Sequence, residues 1–287
     1  MYEDFYGFSE NPFSLTPDPK FYFRSGSHAS AFEMVEYAIG RHEGFMAVTG
    51  EIGTGKTTLC RALLEDLDRT ILTALVLNPP ASEEEMLRVI LQEFGVISRD
   101  GVSQSGLASV TRQALIDALN EFLLSLQPLG AQAVIVIDEA QHLSARLLEQ
   151  IRMLSNLETD KRKLLQVLLV GQTGLRETLD TPGMRQLEQR ISLKCELKPL
   201  SRNETSAYVS HRLGVAGGIH VSFSRGALAR VHGCTRGVPR LVNLVCDRAL
   251  LAACADRTDR VRSGHVDHAA ESLDLARPGR PLLAWAR

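Results

Sequence analysis

A glycine-rich stretch near the start of the chain constrains the fold more than any other feature of the sequence. Residues 50–57 read Gly-Glu-Ile-Gly-Thr-Gly-Lys-Thr and fit the pattern G-x-x-x-x-G-K-[ST]. The apolar run 45–49 before them is typical of a buried strand, and the run 58–64 after them is typical of a helix. Strand, glycine turn and helix in this order form a phosphate-binding loop, whose backbone N–H groups and helix dipole attract a polyphosphate.

The residues of this loop have distinct expected parts in holding a nucleotide. Lys56 reaches the β- and γ-phosphates, and the Thr57 hydroxyl ligates Mg²⁺. The loop backbone completes the predicted nucleotide-binding set, with Gly50, Glu51, Ile52, Gly53, Thr54, Gly55 and Thr58. The alternative is a glycine turn with an exposed lysine, and it does not account for the strand and helix on either side.

The composition is typical of a cytoplasmic globular protein. The formal net charge of −2 supplies no strong attraction to nucleic acid or anionic lipid, although a local basic patch can hide in a neutral total. The first residues are acidic and aromatic, without the basic region of a signal peptide, and no apolar run approaches the length of a membrane span. Five cysteines without a C-x-x-C pair are typical of reduced thiols.

Apolar runs and helix-like segments alternate as far as Pro199, which predicts an α/β fold. Continuous apolar runs such as 133–137 suit central strands covered on both faces, and the alternation with helices predicts a parallel sheet between two helical layers. A Gly/Ser-rich loop is expected at 98–107, followed by a long helix at 107–126. The five expected strands are 45–49, 72–77, 133–137, 164–170 and 192–197.

The pattern changes after Pro199, where helix-like segments follow one another without a comparable strand. Ser201 is expected to cap the first of these helices, with Glu204 completing a capping box. We predict a nucleotide-binding αβα domain at 1–199, which opens with an aromatic and proline-rich segment at 1–25. An all-helical lid domain at 200–275 and a flexible tail at 276–287 complete the prediction.

An acidic pair after the central strand is the second strong signal. Asp138 and Glu139 follow the run 134–137, and carboxylates at the carboxyl end of a central strand lie beside the phosphate loop in this type of fold. We expect Asp138 to orient Mg²⁺ and Glu139 to polarise a water for attack on the γ-phosphate. An acidic turn without chemistry is the alternative.

Three further positions are candidates for the reaction. Gln172, with Thr173 as second choice, ends the next strand and is expected to position the water, and an ordinary polar loop is the alternative. Arg190, or Arg185 in its place, is expected to reach the nucleotide of a neighbouring subunit, against the alternative of a surface salt bridge. Arg240 stands at a predicted helix start, where a cation opposes the dipole, and this cost suggests a role on the γ-phosphate.

Together these motifs resemble the AAA+ ATPases and, within them, the family of general secretion pathway protein A. Walker A falls at 50–57, Walker B at 135–139, sensor 1 at Gln172 or Thr173, and sensor 2 at Arg240. Segments similar to that family extend over about residues 1–275 and include MYEDFYGFSENPFSLTPDPKFYF, GEIGTGKTTL, VIVIDEAQHL, LLQVLLVGQTGLRETL and GVPRLVNLVCDRALLAA. The resemblance implies strand order 5-1-4-3-2, a helical lid, ATP or ADP with Mg²⁺ as cofactors, and hydrolysis of ATP to ADP and phosphate.

The resemblance also implies a place in bacterial secretion or in envelope, pilus or exopolysaccharide assembly. The expected partners are further copies of this chain, with a hexameric ring as one form, and an inner-membrane secretion or polysaccharide-assembly protein. Nucleic acid is not an expected partner. The expected location is the cytoplasm, with contact to the inner membrane only through a partner.

Two details of the resemblance concern the ends of the chain. Longer members of the family carry a transmembrane helix and a periplasmic region after the ATPase, and this chain ends at Arg287 without either. We therefore expect the short soluble branch or a truncated form. In the family the N-terminal aromatic segment packs by the nucleotide base, so Phe13, Pro17 and Phe23 are expected near adenine.

Two other functions stay open at this point. A DNA-associated ATPase of the transposition-helper type shares the core, but the net charge and the lack of a winged-helix-like C-terminal domain count against it. A nucleotide-dependent scaffold that does not hydrolyse ATP is the other, and Glu139 counts against that one.

Overall fold

The computed structural model describes residues 2–98, 111–155, 163–218 and 220–275. The chain forms two compact units, which we name by their content. The sheet unit contains residues 30–50 and 63–196, and the helical unit contains the residues up to 29, residues 51–62 and those from 197 onward. The predicted tail at 276–287 lies outside the described residues, as does most of the predicted loop at 98–107.

The sheet unit is built on five strands, as the apolar runs predict. They are β1 (Phe45–Gly50), β2 (Ile71–Val76), β3 (Gln132–Ile137), β4 (Leu165–Gly171) and β5 (Ile191–Leu197). Their order is β2-β3-β4-β1-β5, and β4 runs parallel to both β1 and β3, with Thr49 beside Gly171 and Ile137 beside Leu169. The predicted α/β fold and its strand order are confirmed.

Continuous burial explains the apolar sequences of the central strands. Every residue of β1 and β4 is buried, and the residues of β3 from Ala133 to Ile137 have no exposed surface. A strand covered on both faces by helices needs apolar residues at every position. The edge strand β5 alternates instead, with Ile191, Cys195 and Leu197 buried between exposed residues.

Eight α-helices lie in the described part of the chain up to residue 197. They are α1 (Tyr2–Tyr6), α2 (Gly26–Gly40), α3 (Lys56–Asp66), α4 (Glu83–Glu93), α5 (Arg112–Leu126), α6 (Ala145–Leu154), α7 (Thr173–Leu179) and α8 (Arg185–Glu188). Helix α5 is described from Arg112, with Thr111 as its N-cap, whereas the sequence predicted a start at 107. The residues between 99 and 110 lie outside the described residues.

Four helices and a pair of very short strands form most of the helical unit. The helices are α9 (Arg202–Val215), α10 (Arg225–Thr235), α11 (Pro239–Ala255) and α12 (Ser263–Ser272). The predicted capping box of Ser201 and Glu204 is present at the start of α9. The prediction of an all-helical domain was wrong, because β6 (Ser222–Phe223) pairs with β7 (Arg260–Val261). Strands of two residues are too short to show the alternation by which a strand is recognised.

The aromatic N-terminal segment packs within the helical unit. Its buried rings share one hydrophobic cluster with α9, α10 and α11, and these rings are Tyr2, Tyr6, Phe8, Phe13 and Phe21. The Tyr2 hydroxyl donates to Asp247 on α11. The predicted domain boundary at 199 was therefore wrong for residues 1–25, because these rings are buried against the helices that follow residue 200 rather than against the sheet.

Candidate nucleotide-binding site

The loop between β1 and α3 curls around one of its own carbonyl groups. The Glu51 carbonyl oxygen accepts hydrogen bonds from the Thr54 backbone N–H at 3.3 Å and from the Thr54 hydroxyl at 2.8 Å. The Lys56 ammonium donates to the same oxygen at 3.0 Å. Lys56 is therefore held at the start of α3, where backbone N–H groups and the helix dipole favour an anion.

Two glycines of the loop adopt backbone conformations that other residues rarely adopt. Gly53 has φ 79° and Gly55 has φ 96°. A Cβ atom on Gly53 would lie 2.8 Å from the Cβ of Arg240, so this position also lacks room for a side chain. Backbone geometry thus favours glycine at both positions, and close packing against Arg240 favours it at Gly53 as well.

Helix α11 begins against the phosphate loop. Its first residue is Pro239, and its N-cap, Val238, has no side chain that can bond the free N–H groups of the first turn. The backbone N–H of Arg240 instead donates to the Gly53 carbonyl oxygen at 3.1 Å. The Arg240 guanidinium is exposed and has no hydrogen-bond or ion-pair partner among the described residues.

Gly237 ties the start of α11 to the segment before α9. Its φ is 76°, and a Cβ atom there would lie 1.9 Å from the carbonyl oxygen of Leu200. The Leu200 backbone N–H donates to the Gly237 carbonyl at 2.8 Å. No side chain fits where these two segments cross, which explains the glycine at 237. The proline at 239 is explained by its position in the first turn of α11.

A histidine that the sequence left without a role supports the loop. His28 is 5% exposed, and its Nε2 lies 2.8 Å from the Thr54 carbonyl oxygen. Its Nδ1 lies 2.7 Å from the Ser25 hydroxyl. Burial lowers the pKa of His28, against the opposing effects of the Thr54 hydrogen bond and the Glu204 charge. The neutral ring therefore donates from Nε2 to the loop and accepts at Nδ1 from Ser25.

The acidic pair lies at the carboxyl end of β3 in the sheet unit. Asp138 is 2% exposed, and its backbone N–H donates to Val76 of the neighbouring strand at 2.8 Å. The Asp138 carboxylate accepts from the Glu139 backbone N–H at 2.9 Å. Glu139 has φ 52° and ψ 34°, a left-handed conformation that costs energy for a residue with a side chain. Strain of this kind is found at functional sites, where the surroundings hold it in place.

The side chain of Gln172 contacts Glu139, and no such contact is made by the side chain of Thr173 in the described part of the chain. Gln172 follows β4, and its side-chain amide lies 3.5 Å from the Glu139 Oε2. Thr173 begins α7 and is exposed, and its side chain has no hydrogen bond among the described residues. Of the two sensor candidates, Gln172 is therefore the one whose side chain contacts Glu139.

Arg190 contacts the C-terminal end of α6. Its guanidinium donates to the Arg152 carbonyl oxygen at 3.4 Å and to the Ser155 hydroxyl at 3.3 Å. A cation at a helix C-terminus is favourable for the dipole. Arg190 thus contacts a helix end within its own chain, which differs from the surface salt bridge that the sequence left as the alternative. Arg185, the other candidate for the residue that reaches a neighbouring subunit, is exposed.

The residues expected near adenine lie in the helical unit and are already packed. Phe13 is 2% exposed and lies edge-on to Phe223. Phe23 packs on Tyr208, with ring centroids 5.7 Å apart. The Pro17 carbonyl accepts from Arg61 of α3 at 2.7 Å. The burial of Phe13 in the hydrophobic cluster removes it from the predicted contacts to the base.

The oxygen ligands available at these elements fit Mg²⁺. Mg²⁺ prefers oxygen ligands and keeps several waters, so one hydroxyl and one carboxylate are enough protein ligands when phosphates supply others. Thr57 and Asp138 have that chemistry. In the described part of the chain no group of three histidine, cysteine, aspartate or glutamate residues forms a metal cage, which a site of this kind does not need.

Comparison with known proteins decides the family. The model of the AAA domain family matches residues 39–179. General secretion pathway protein A of Aeromonas hydrophila is 42% identical over 271 residues, which are 94% of this chain and 48% of that protein. The chain belongs to the AAA+ family and is related to general secretion pathway protein A. This AAA+ chain spans about half the length of that relative.

Two further proteins are similar to the AAA+ chain, one by sequence and one by structure. The Holliday junction branch migration complex subunit RuvB of Parasynechococcus marenigrum (strain WH8102) is 27% identical over 242 residues, which are 82% of this chain and 60% of that protein. The Aeropyrum pernix ORC2 protein, solved as ADPNP and ADP complexes, superposes with a TM-score of 0.68 at 19% identity and covers 92% of this chain and 72% of its own. The ORC2 likeness shows the fold. No described helix of the AAA+ chain is long and apolar enough to cross a membrane.

Proposed function

We propose that this AAA+ chain binds ATP with Mg²⁺ and hydrolyses it to ADP and phosphate, as a motor or switch in bacterial secretion or in envelope, pilus or exopolysaccharide assembly. The observation that carries the proposal is the strained Glu139 at the carboxyl end of β3, held beside Gln172. Strand β1 of the same sheet ends at Gly50 and leads directly into the phosphate loop. Ligands of parallel α/β sheets bind beyond the carboxyl ends of the strands.

Each side chain of the site has a part in the proposed hydrolysis. Lys56 binds the β- and γ-phosphate oxygens, and Thr57 and Asp138 hold Mg²⁺, which neutralises charge on those oxygens when bound. Glu139 accepts a proton from a water molecule as that water attacks the γ-phosphorus. The bond between the γ-phosphorus and the bridging oxygen of ADP breaks, so phosphate and ADP leave. Gln172 orients the water through its carboxamide.

Arg240 supports a coupling between the nucleotide and the helical unit. Its backbone is bonded to Gly53 of the phosphate loop, while its guanidinium is exposed. A cation in this position binds the γ-phosphate while ATP is present and loses that contact after hydrolysis. The nucleotide state then acts on α11, which is how a switch transmits hydrolysis.

Other copies of the chain and a membrane-bound partner complete the proposal. Arg190 is proposed to act on the nucleotide of a neighbouring subunit, in a homo-oligomer such as a hexameric ring, after leaving its contact with the end of α6. The relationship to general secretion pathway protein A supports an inner-membrane secretion or polysaccharide-assembly partner and a cytoplasmic site of action at that membrane. Because the chain covers 48% of that relative, the activity of the longer protein is itself part of the proposal.

A DNA-associated ATPase is the second candidate, and the 27% identity to RuvB favours it. Binding of duplex DNA that weakens steeply as salt rises would support this function, because phosphate contacts release counterions. DNA binding absent at low salt would leave secretion or assembly as the remaining proposal. A nucleotide-dependent scaffold without catalysed hydrolysis is the third candidate, and it predicts only slow ATP turnover that is unchanged in Glu139→Gln.

The experiment that tests the proposed activity is phosphate release from ATP and Mg²⁺ by the purified chain. We expect Lys56→Ala to abolish nucleotide binding and phosphate release together, because it removes the charge at the β- and γ-phosphates. The exposed Lys194, which pairs with Glu188 in the sheet unit, offers a matched control. Lys194→Ala should leave both measurements unchanged, and equal activity of Lys56→Ala and the unsubstituted chain would contradict the proposal.

A further inference from the structure

Gln141 joins the ends of two strands in the sheet unit. It lies in a short 3-10 turn, Ala140–His142, directly after the acidic pair. Its side-chain amide donates to the Glu139 Oε2 at 2.5 Å, and its side-chain carbonyl accepts from the Gln172 backbone N–H at 2.9 Å. One carboxamide thus connects the carboxylate after β3 with the backbone after β4.

The two glutamine amides near Glu139 converge on the same oxygen. Gln141 and Gln172 both donate to Oε2, at 2.5 Å and 3.5 Å. The Oε1 of Glu139 has no hydrogen-bond partner among the described residues. The carboxylate is therefore oriented through one oxygen, and the other is left to accept a hydrogen bond from water.

The backbone around the bridge has little freedom. Glu139 is in the left-handed region, and the His142 backbone N–H donates to the Glu139 carbonyl at 3.0 Å, which closes the turn that carries Gln141. Gly171 faces the bridge from β4, where a Cβ atom would lie 2.9 Å from the Gln141 Oε1. The contact is therefore built from both strand ends, and a glycine is needed on one of them for the glutamine to reach across.

We propose that Gln141 is a positioning residue that holds the Glu139 carboxylate in its orientation and links it to Gln172. This inference rests on the proposed hydrolysis, in which a water molecule donates a hydrogen bond to the Glu139 Oε1. Gln141 itself does not touch the nucleotide in this proposal. Its loss lets the Glu139 side chain rotate, and a misplacement of about 1 Å costs up to about 100-fold in rate.

Two variants separate the two bonds of the bridge, and a third serves as the control. Gln141→Leu keeps a similar volume and removes both bonds. Gln141→Glu keeps the acceptor for the Gln172 N–H but places a carboxylate against Glu139. Gln189→Leu changes an exposed glutamine of the same unit and serves as the control. Turnover, nucleotide affinity and hydrogen exchange at the Gln172 amide are measured for each, and Gln141→Leu is also combined with Glu139→Gln.

The expected results distinguish positioning from a purely structural role. In Gln141→Leu we expect the kcat to fall roughly 10- to 100-fold with nucleotide affinity changed less than about twofold, and the Gln172 amide to exchange faster. In Gln141→Glu the kcat also falls while the amide stays protected. In the Glu139→Gln background the same Gln141→Leu change should have no further effect on turnover, because Gln141 acts through Glu139.

Failure of the inference and failure of the proposed function give different results. Unchanged protection of the Gln172 amide in Gln141→Leu overturns the bridge, whether or not the protein hydrolyses ATP. Unchanged turnover of Gln141→Leu, in a protein whose turnover does depend on Glu139, overturns positioning. Lack of ATP turnover in the unsubstituted chain contradicts the proposed function, and with it the part of Gln141 in a reaction, while the exchange measurement still tests the bridge.

Discussion

The backbone N–H of Arg240 donates a 3.1 Å hydrogen bond to the carbonyl oxygen of Gly53. This bond gives a free donor at the start of α11 a partner in the phosphate loop, where Val238 has no capping side chain. It also fixes where the Arg240 side chain begins. In the proposed function, the Arg240 guanidinium binds the γ-phosphate, and a change in the phosphates would then act on α11 through this side chain and the backbone contact.

Removal of the Arg240 side chain should reduce turnover more than it reduces binding. We expect Arg240→Ala to lower ATP turnover by roughly 10- to 100-fold, because the guanidinium acts on charge that develops at the γ-phosphate, while ADP affinity changes little. The backbone contact to Gly53 stays in this variant. Arg248→Ala on the exposed side of the same helix is the control. Equal losses of turnover in the two variants would rule out a specific role for Arg240.

Gly237→Ala should destabilise the helical unit. The new Cβ atom would lie 1.9 Å from the Leu200 carbonyl oxygen at a φ of 76°, so both the clash and the backbone conformation are unfavourable. We expect a loss of about 2 kcal/mol or more in the free energy of unfolding, measured by denaturant titration.

Gly233 offers a matched control for that measurement. It lies inside α10, and a Cβ atom there would meet nothing within 4 Å. Gly233→Ala should raise the free energy of unfolding by roughly 0.5–1 kcal/mol, because alanine is the better helix former. A loss in Gly233→Ala as large as that in Gly237→Ala would show that the Leu200 contact is not the cause.

The buried His28 should make stability depend on pH. Burial lowers its pKa below the ordinary value of 6.5, so the unfolded chain takes up a proton first as the pH falls. The contribution of the neutral ring is therefore fully present above about pH 6.5 and is lost as the pH falls through the lower pKa of the folded state. Free energies of unfolding at about pH 8 and about pH 5 are compared for the unsubstituted chain and for His28→Gln, which cannot titrate. The loss on acidification should be smaller in the variant, and equal losses would contradict this account.

Arg190 should affect turnover in a way that depends on protein concentration. If it acts between subunits, turnover per chain rises as the protein associates, and Arg190→Ala removes that rise with a loss of about 10³-fold or more. The contacts with Arg152 and Ser155 predict in addition a stability loss of up to about 1 kcal/mol in the same variant. Turnover independent of concentration and unchanged in Arg190→Ala would show that its role is confined to the end of α6.

Local sequence predicted the parts of the site that depend on local structure. The loop that carries Lys56 and the strand end that carries Asp138 are each defined by a short run of residues, so periodicity and glycine spacing were enough to find them. His28 and Gln141 were assigned no role because their contacts are with Thr54, 26 residues away, and with Gln172, 31 residues away. Contacts at that separation depend on how the chain folds back on itself.

The N-terminal segment shows the same limit on a larger scale. Its aromatic and proline content is plain from the sequence, but nothing in residues 1–25 shows which apolar surface the rings cover. The structure buries Tyr2 and Phe13 in one cluster with helices more than 180 residues further along the chain, as the 245-residue separation of Tyr2 and Asp247 illustrates. A domain boundary placed at one point of the sequence cannot represent a segment that packs against a much later part of the chain.

The central claim is that Glu139 makes this AAA+ chain a hydrolase, and Glu139→Gln tests it most directly. The substitution keeps the size and the hydrogen-bonding capacity of the side chain but removes the base. Phosphate release and ATP affinity are measured together on the unsubstituted chain and on the variant. The account predicts that ATP affinity is retained while phosphate release falls by about 100-fold or more. Phosphate release by Glu139→Gln at the rate of the unsubstituted chain, with ATP bound equally well, would contradict it.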